Sequence, residues 1–315
     1  MLDIVGKRYW YFLLSLLVIV PGTISLVTHG LKLGTDFTGG SEFTISVPKP
    51  NQSNALGNVV GQVMGGTSFV QAIVSSTHCP SDCEYLVRVK AATVPQEARI
   101  KALIKQNFPG ARGVVQITTT SGTIASSLTS QAIIAVGAAA VAILLYISFA
   151  FRNAPNPFRF GTAALIAMLH DVLVVMGIFS ILGVLLNVEI DAPFVTAMLT
   201  IIGFSVHDTI VIFDRIRENL ARRTGEPFAT VVNHSILQSF VRSINTSFTV
   251  VLTLLAVFLF TGEAIRFFVL AMLIGIISGT YSSIFNASQI LVVWHNHELG
   301  RFFRRGGSPE PARAT

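Results

Sequence analysis

The sequence predicts a polytopic α-helical membrane protein with six transmembrane helices and an α+β ferredoxin-like (βαββαβ) extracytoplasmic domain between spans one and two. Three observations predict it. Of 315 residues, 51% are hydrophobic and only 12% charged, with a mean hydropathy of +0.65, far more apolar than a soluble domain. Six apolar runs punctuate the chain, each of a length suited to about 30 Å of hydrocarbon. Between the first two lies a stretch of mixed polarity, 32–120, in which strand-like alternation and helix-like periodicity take turns. The net charge of +6 sits mainly on Lys and Arg beside apolar runs, without the basic-aromatic interleaving of a nucleic-acid groove, so it reads as membrane topology and no nucleic-acid partner is expected.

The first run, 9–27, follows Lys7 and Arg8. It is long for the apolar core of a signal peptide and 25–30 offers no small-x-small cleavage site, so it reads as an uncleaved span, with a kink expected at Pro21 and Gly22. The water-exposed domain then unfolds in order: a strand over 41–47, a helix over 51–64, strands over 68–74 and 84–90, a helix over 96–108 and a strand over 113–118. That is the split β-α-β order of ferredoxin-like domains. Between the central strands, Cys79 and Cys83 flank Pro80, Ser81 and Asp82, a turn that brings the two thiols close. A bridge and two unpaired thiols both remain open, the bridge requiring an oxidising outer compartment. His78 beside them reads as a loop residue.

A Ser/Thr-rich joint over 118–130 leads to runs over 132–151, 161–186, 194–213, 244–260 and 267–293. The chain thus divides into a cytoplasmic start and first span (1–30), the outer domain (31–125), spans two to six (126–295) and a basic tail that hugs lipid (296–315). Arg152, Arg159, Arg215, Arg217, Arg222, Arg223, Arg301, Arg304 and Arg305 cluster on alternate connections, whereas Glu189, Asp191 and Glu263 hold the others. The positive-inside rule then places both termini in the cytoplasm and the α+β domain outside.

The segment 199–219 sets His207 and Asp208 in an apolar run, where a charge costs roughly 3 kcal/mol on insertion scales and demands a partner, water or a proton. On the helix entering span five, Ser235, Gln238, Ser239, Arg242, Asn245, Thr246, Thr249 and Thr253 fall on one side, at about 100° per residue. Those hydroxyls also suit simple interhelical hydrogen bonding. Asp208 lies about 21 Å from the start of span four and Arg242 about 28 Å from the end of span five, at 1.5 Å per residue, depths from which a long arginine can reach the carboxylate in one conformation and part from it in another. Span three adds His170 and Asp171: Asp171 reads as an auxiliary or structural polar residue, and His170, like His207, as a hydrogen-bonding neighbour rather than a ligand. No H-E-x-x-H signature or nucleophile accompanies the two His-Asp pairs, so neither a metal, a cofactor beyond protons, nor an enzymatic activity is expected. Gly275, Gly279, Ser282 and Asn286 form a small-residue stripe on span six that reads as packing.

Four blocks occur in order around this topology: Gly34-Thr35-Asp36-Phe37-Thr38-Gly39-Gly40, the segment 205–219, Ser243-Ile244-Asn245-Thr246-Ser247 and Gly279-Thr280-Tyr281-Ser282-Ser283. With them the chain resembles, over nearly its whole length, the SecF subunits of bacterial SecDF protein-export complexes in the resistance-nodulation-division superfamily. The resemblance implies a proton-driven partner of the Sec translocon channel in the bacterial cytoplasmic (inner) membrane, whose outer domain helps draw a translocating polypeptide across. It implies that Asp208 and Arg242 match the family's proton-transport carboxylate and arginine, and that Asp36, Phe37, Gly39 and Gly40 form a structural or hinge motif after span one. His207 stands where the family usually has Asn, which adds a titratable neighbour to the relay. Six spans are half of a twelve-span pattern, so a SecD-like six-span subunit is expected as partner. Two other functions compete: a half-transporter exporting drugs or lipids, and a scaffold that carries no protons.

Overall fold

The structure, a computed structural model, describes residues 3–49, 51–65, 69–72, 83–152, 154, 156–223 and 225–296. Cys79, His78 and the tail beyond Asn296 lie outside the described residues, so of the expected thiol pair only Cys83 is placed, buried at the start of a strand. The chain enters through a short 3-10 turn, Val5–Lys7, pinned by Asn233, whose Oδ1 accepts from the amides of Ile4 (2.9 Å) and Val5 (3.2 Å). Helix α1, Arg8–His29, carries Pro21 inside it without ending there. One residue on, a Cβ at Gly22 would stand 2.9 Å from the Cα of Gly177. Two helices therefore touch backbone to backbone, the close approach that glycines permit in membranes.

Beyond α1 the backbone pairs with the far connection: Gly34 N donates to Ile190 O and Ile190 N to Lys32 O, both at 2.9 Å. One turn of helix, α2 (Thr35–Thr38), then reverses the chain into strand β1 (Gly40–Val47). The reversal needs glycine twice. Gly39 has φ +74°, and at Gly40, with φ +151°, a side chain would strike the carbonyl of Val89.

Helix α3 (Ser53–Met64), strands β2 (Phe69–Ala72) and β3 (Cys83–Val89), helix α4 (Val94–Asn107) and strand β4 (Gly113–Thr120) complete the α+β unit between the first two spans. Its four-stranded sheet is antiparallel throughout, in the order β2-β3-β1-β4, with Phe43 opposite Val87 on one side and Ile117 on the other. Alternation puts Phe43, Ile45, Val47, Tyr85 and Val87 inside, against Leu56 and Val60 of α3 and Ile100 and Ile104 of α4. Helix α4 begins two residues before the expected 96 because Thr93 and Gln96 form a reciprocal capping box ahead of Pro95.

Helices α5 (Gly122–Ala150), α6 (Pro157–Leu186), α7 (Ala192–Arg222), α8 (Phe228–Phe260) and α9 (Glu263–Ser282) follow, α9 passing through a π-helical turn, Ser283–Ala287, into α10 (Ser288–His295). Counting α9 to α10 as one span, six helices among the described residues are long and apolar enough to cross a membrane. The chain is a multi-pass membrane protein. Helices α6, α7 and the last span are the inner ones, while α1, α5 and α8 are largely exposed. Several helices outrun the apolar runs: α7 has 31 residues, about 46 Å. Its overhang is held by ion pairs of Arg217 with Asp214 and of Arg215 with Glu218 (2.6 Å each) and of Arg222 with Glu218 (2.8 Å).

Candidate functional site

Three helices converge on Asp208. It is 2% exposed, near the middle of α7. Its Oδ2 accepts from Ser247 Oγ of α8 at 3.2 Å, and Ser247 Oγ in turn accepts from Thr280 Oγ1 of α9 at 2.6 Å. Ser243, one turn earlier on α8, is buried, and among the described residues its hydroxyl has no hydrogen-bond partner. The geometry leaves Asp208 thinly held, inside a seam where α7, α8 and α9 meet.

Arg242 is not at this seam. It is exposed and makes no ion pair with Asp208 among the described residues. It lines a cleft of about 300 Å³ together with Ile210, Val211 and Asp214 of α7 and Gln238 and Ser239 of α8. Val211 is one helical turn from Asp208, so the cleft that Arg242 lines comes within about a turn of α7 of the carboxylate. The expected single polar face of α8 is split. Ser235, Ser239, Ser243 and Ser247 point inward, whereas Gln238, Arg242, Asn245, Thr246, Thr249 and Thr253 are exposed. The threonine hydroxyls bond back to carbonyls of their own helix: Thr246 to Arg242, Thr249 to Thr246 and Thr253 to Thr249, at 2.8–2.9 Å. They are not interhelical bridges within this chain. His207 is exposed on the outward side of α7, as are Thr200 and Gly203.

Asp171, read from the sequence as an auxiliary or structural polar residue, is densely bonded: four side chains among the described residues meet its carboxylate. It is 1% exposed. Its Oδ1 accepts from Ser278 (2.7 Å) and meets His170 Nδ1 at 2.9 Å; its Oδ2 accepts from Ser205 and Ser282, both at 2.6 Å. His170 Nε2 lies 3.1 Å from Ser15 Oγ, which accepts from Asn286 at 2.9 Å, so the network reaches α1. The stripe on the last span does pack: Ile201 lies over Gly275, and a Cβ at Gly279 would come 3.1 Å from that of Ser205. Its polar members, however, feed this network. The i, i+4 spacing of Ser278 and Ser282 was the available signal.

At the other end, Asp36 Oδ2 accepts from the amide of Ala192, the first residue of α7, at 2.9 Å. Phe37 is half-buried beside it. The motif after span one therefore touches the helix that carries Asp208.

With this geometry in hand, comparisons with known proteins are specific. Residues 99–297 match the family model for protein export membrane proteins SecD/SecF, C-terminal, and 24–50 the SecD/SecF GG motif. A protein translocase subunit SecF of Thermobaculum terrenum is 49% identical, covering 99% of both chains. Another, from Anaerolinea thermophila, is 40% identical over 99% of this chain and 100% of its own. The crystal structure of SecDF, a translocon-associated membrane protein of Thermus thermophilus, aligns with 94% of this chain at 30% identity and a TM-score of 0.81. SecDF in a super-membrane-facing form aligns at the same identity with a TM-score of 0.68 over 96%. This chain spans only 39% and 40% of those two SecDF chains.

Proposed function

Because the chain belongs to the SecD/SecF family of protein export membrane proteins, we propose that it is a SecF-type subunit that uses the proton-motive force to assist polypeptide translocation through the Sec translocon. One observation carries the proton step: Asp208, a carboxylate 2% exposed within a membrane-spanning helix, with one hydroxyl donor and an arginine-lined cleft one turn away. A carboxylate so placed is well suited to carry a proton, since the neutral form suits the closed seam and the anion draws the guanidinium inward. A proton crossing the full field yields about 2.3 kcal/mol per 100 mV, enough to bias two helix packings that differ by a few kcal/mol. The unequal fits of the two SecDF forms support a machine with more than one arrangement.

The outward polar faces of α7 and α8 support a SecD-like six-span partner, since Arg242, Asn245 and His207 would otherwise meet lipid. The arginines at one end of the bundle support cytoplasmic termini and an outer unit outside a bacterial inner membrane. Strand order and element order support reading that unit as ferredoxin-like. No enzymatic step and no cofactor beyond protons enter this reading. The family relation favours polypeptide export over drug or lipid export.

Voltage-driven proton flux and precursor export, measured in vesicles holding the chain with its partner and the translocon, test the proposal. Asp208→Asn keeps the shape of a protonated Asp but carries no exchangeable acid proton, and it should lower both to background, at least tenfold. Arg242→Ala should do the same. Normal coupling in Asp208→Asn would refute the proton step.

A further inference from the structure

The strongest charge cluster in the molecule lies outside the membrane. Arg88 of β3, its side chain only 10% exposed, spends three nitrogens on three carboxylates: Nε to Glu42 of β1 (2.7 Å), one terminal nitrogen to Glu189 (2.9 Å) and the other to Asp191 (2.8 Å). Glu42 belongs to the outer sheet, whereas Glu189 and Asp191 sit on the turn between α6 and α7. The guanidinium therefore bridges two bodies. A single point charge could not do this, and the planar fork of Arg can.

A second tie lies beside the first. Asp191 occupies the N-cap position of α7 yet makes no capping bond with its own side chain. Its Oδ2 is turned to Arg88, and Asp36, from the stem of the outer unit, accepts from the first helical amide, Ala192 N. One of the helix's N-terminal amides without an intrahelical acceptor is thus satisfied by the other body. Gly34 makes this arrangement possible, because any side chain there would collide with Asp191 Oδ1. The residues of both ties line one cavity of about 300 Å³, walled by Phe179, Phe194, Phe267 and Phe268.

We propose that Arg88 and Asp36 form a two-point clasp by which the outer unit grips the N-terminal end of α7. The clasp makes Arg88 a positioning residue: whatever displaces α7 at Asp208 is passed to the sheet through the N-terminus of the same helix. That link to transport rests on the proton-driven reading above.

The groups facing Asp191 are Arg88 from β3, Glu42 from β1, Asp36 from α2 and Glu189 from its own turn, with Lys32 3.5 Å from Glu189. Burial in the cavity pushes the Asp191 carboxyl up to about 6, against an ordinary 3.8; Arg88 opposes the rise, and Glu42, Asp36 and Glu189 reinforce it. The sign follows directly. The closed clasp holds the proton more tightly than an open, hydrated Asp191 does, so closure is favoured progressively as pH falls from about 6 toward 3.8, and that gain is absent above about 6.

Hydrogen exchange of the full chain in lipid nanodiscs reads the clasp at residues 31–36 and 188–194, as protection factors corrected for intrinsic rates. In the wild type, protection of 188–194 should rise several-fold between pH 7 and 5, and by no more than tenfold per unit for one proton. Arg88→Gln should lower it about tenfold at pH 7 and leave 201–216 unchanged. Asp191→Asn mimics the protonated side chain and should hold the pH 5 protection at every pH. Should Arg88→Gln fail to fold, Asp191→Asn alone decides. Unchanged protection in Arg88→Gln, or a wild-type pH slope in Asp191→Asn, overturns the clasp. In export vesicles, Arg88→Gln should lose polypeptide export at least tenfold while keeping proton flux. Intact export there would remove the clasp's role in transport and leave the proton step standing; intact coupling in Asp208→Asn would remove the proton step and leave the protection results standing.

Discussion

Asp171 and Asp208 are the same residue type, on neighbouring helices, 1% and 2% exposed, yet their surroundings are opposite. An ionised carboxylate has about four lone-pair directions to satisfy. At Asp171 all are taken, by Ser278, His170, Ser205 and Ser282, from α6, α7 and α9. At Asp208, among the described residues, one hydroxyl is engaged, at 3.2 Å, and the nearby Ser243 hydroxyl has no partner. A proton arriving at Asp171 must displace an existing hydrogen bond; one arriving at Asp208 need not. On the proposed proton step, burial alone thus does not distinguish the carboxylate that carries the proton from the one that does not. The filled shell locks helices together, and the open one leaves freedom to change.

The sharpest way to break this contrast is to neutralise each carboxylate and read flux and stability separately. Asp208→Asn should abolish voltage-driven flux with little change in the thermal unfolding midpoint in detergent. Asp171→Asn should do the reverse. Its amide presents donors to a ring of serine donors, so at least one charge-assisted bond is lost and the folded state is weakened by about 3 kcal/mol. Flux per folded molecule should be largely retained. If Asp171→Asn proved stable and silent in transport, the two roles would have to be exchanged.

How much of this was legible in the sequence depends on the range of the interaction. The outer unit was readable because strand alternation is local: Phe43, Ile45 and Val47 repeat with period two and all turn inward. Asp208 stood out because one carboxylate in an apolar run needs no neighbour to be noticed. The shell around Asp171 was not readable, because Ser205 lies 34 residues away and Ser278 and Ser282 lie 107 and 111 away. The face of α8 was half readable. Periodicity gathers its polar residues on one side, but only the packing of neighbours decides where inside ends, and that boundary runs between Ser243 and Arg242. The tie from Arg88 to the α6–α7 turn, 101 and 103 residues apart, likewise left no local pattern.

A smaller effect is expected at the one donor that Asp208 has. Ser247→Ala removes a neutral hydroxyl and leaves Thr280 still bonded to the carbonyl of Ile276 at 2.9 Å, so about 1 kcal/mol of stability should be lost. Flux should fall a few-fold, and Ser247→Thr should restore most of it. A variant as inactive as Asp208→Asn would mean that the hydroxyl itself relays the proton, and the open shell would then be one station of a chain.

The smallest effect belongs to His207. It neighbours Asp208 in sequence but is about 100° further round the helix, exposed on the side of α7 where the proposed partner would sit. Among the described residues no hydrogen bond or ion pair holds its ring to the rest of the chain, so His207→Asn should change the stability of the purified chain by no more than about 0.5 kcal/mol. In the assembled complex its loss should shift the pH profile of flux without eliminating flux. Parallel flux titrations of both proteins between pH 5 and 8 decide it. Complete loss in His207→Asn would mean that the shell of Asp208 is completed from the partner side, and the contrast with Asp171 would then hold only for the isolated chain.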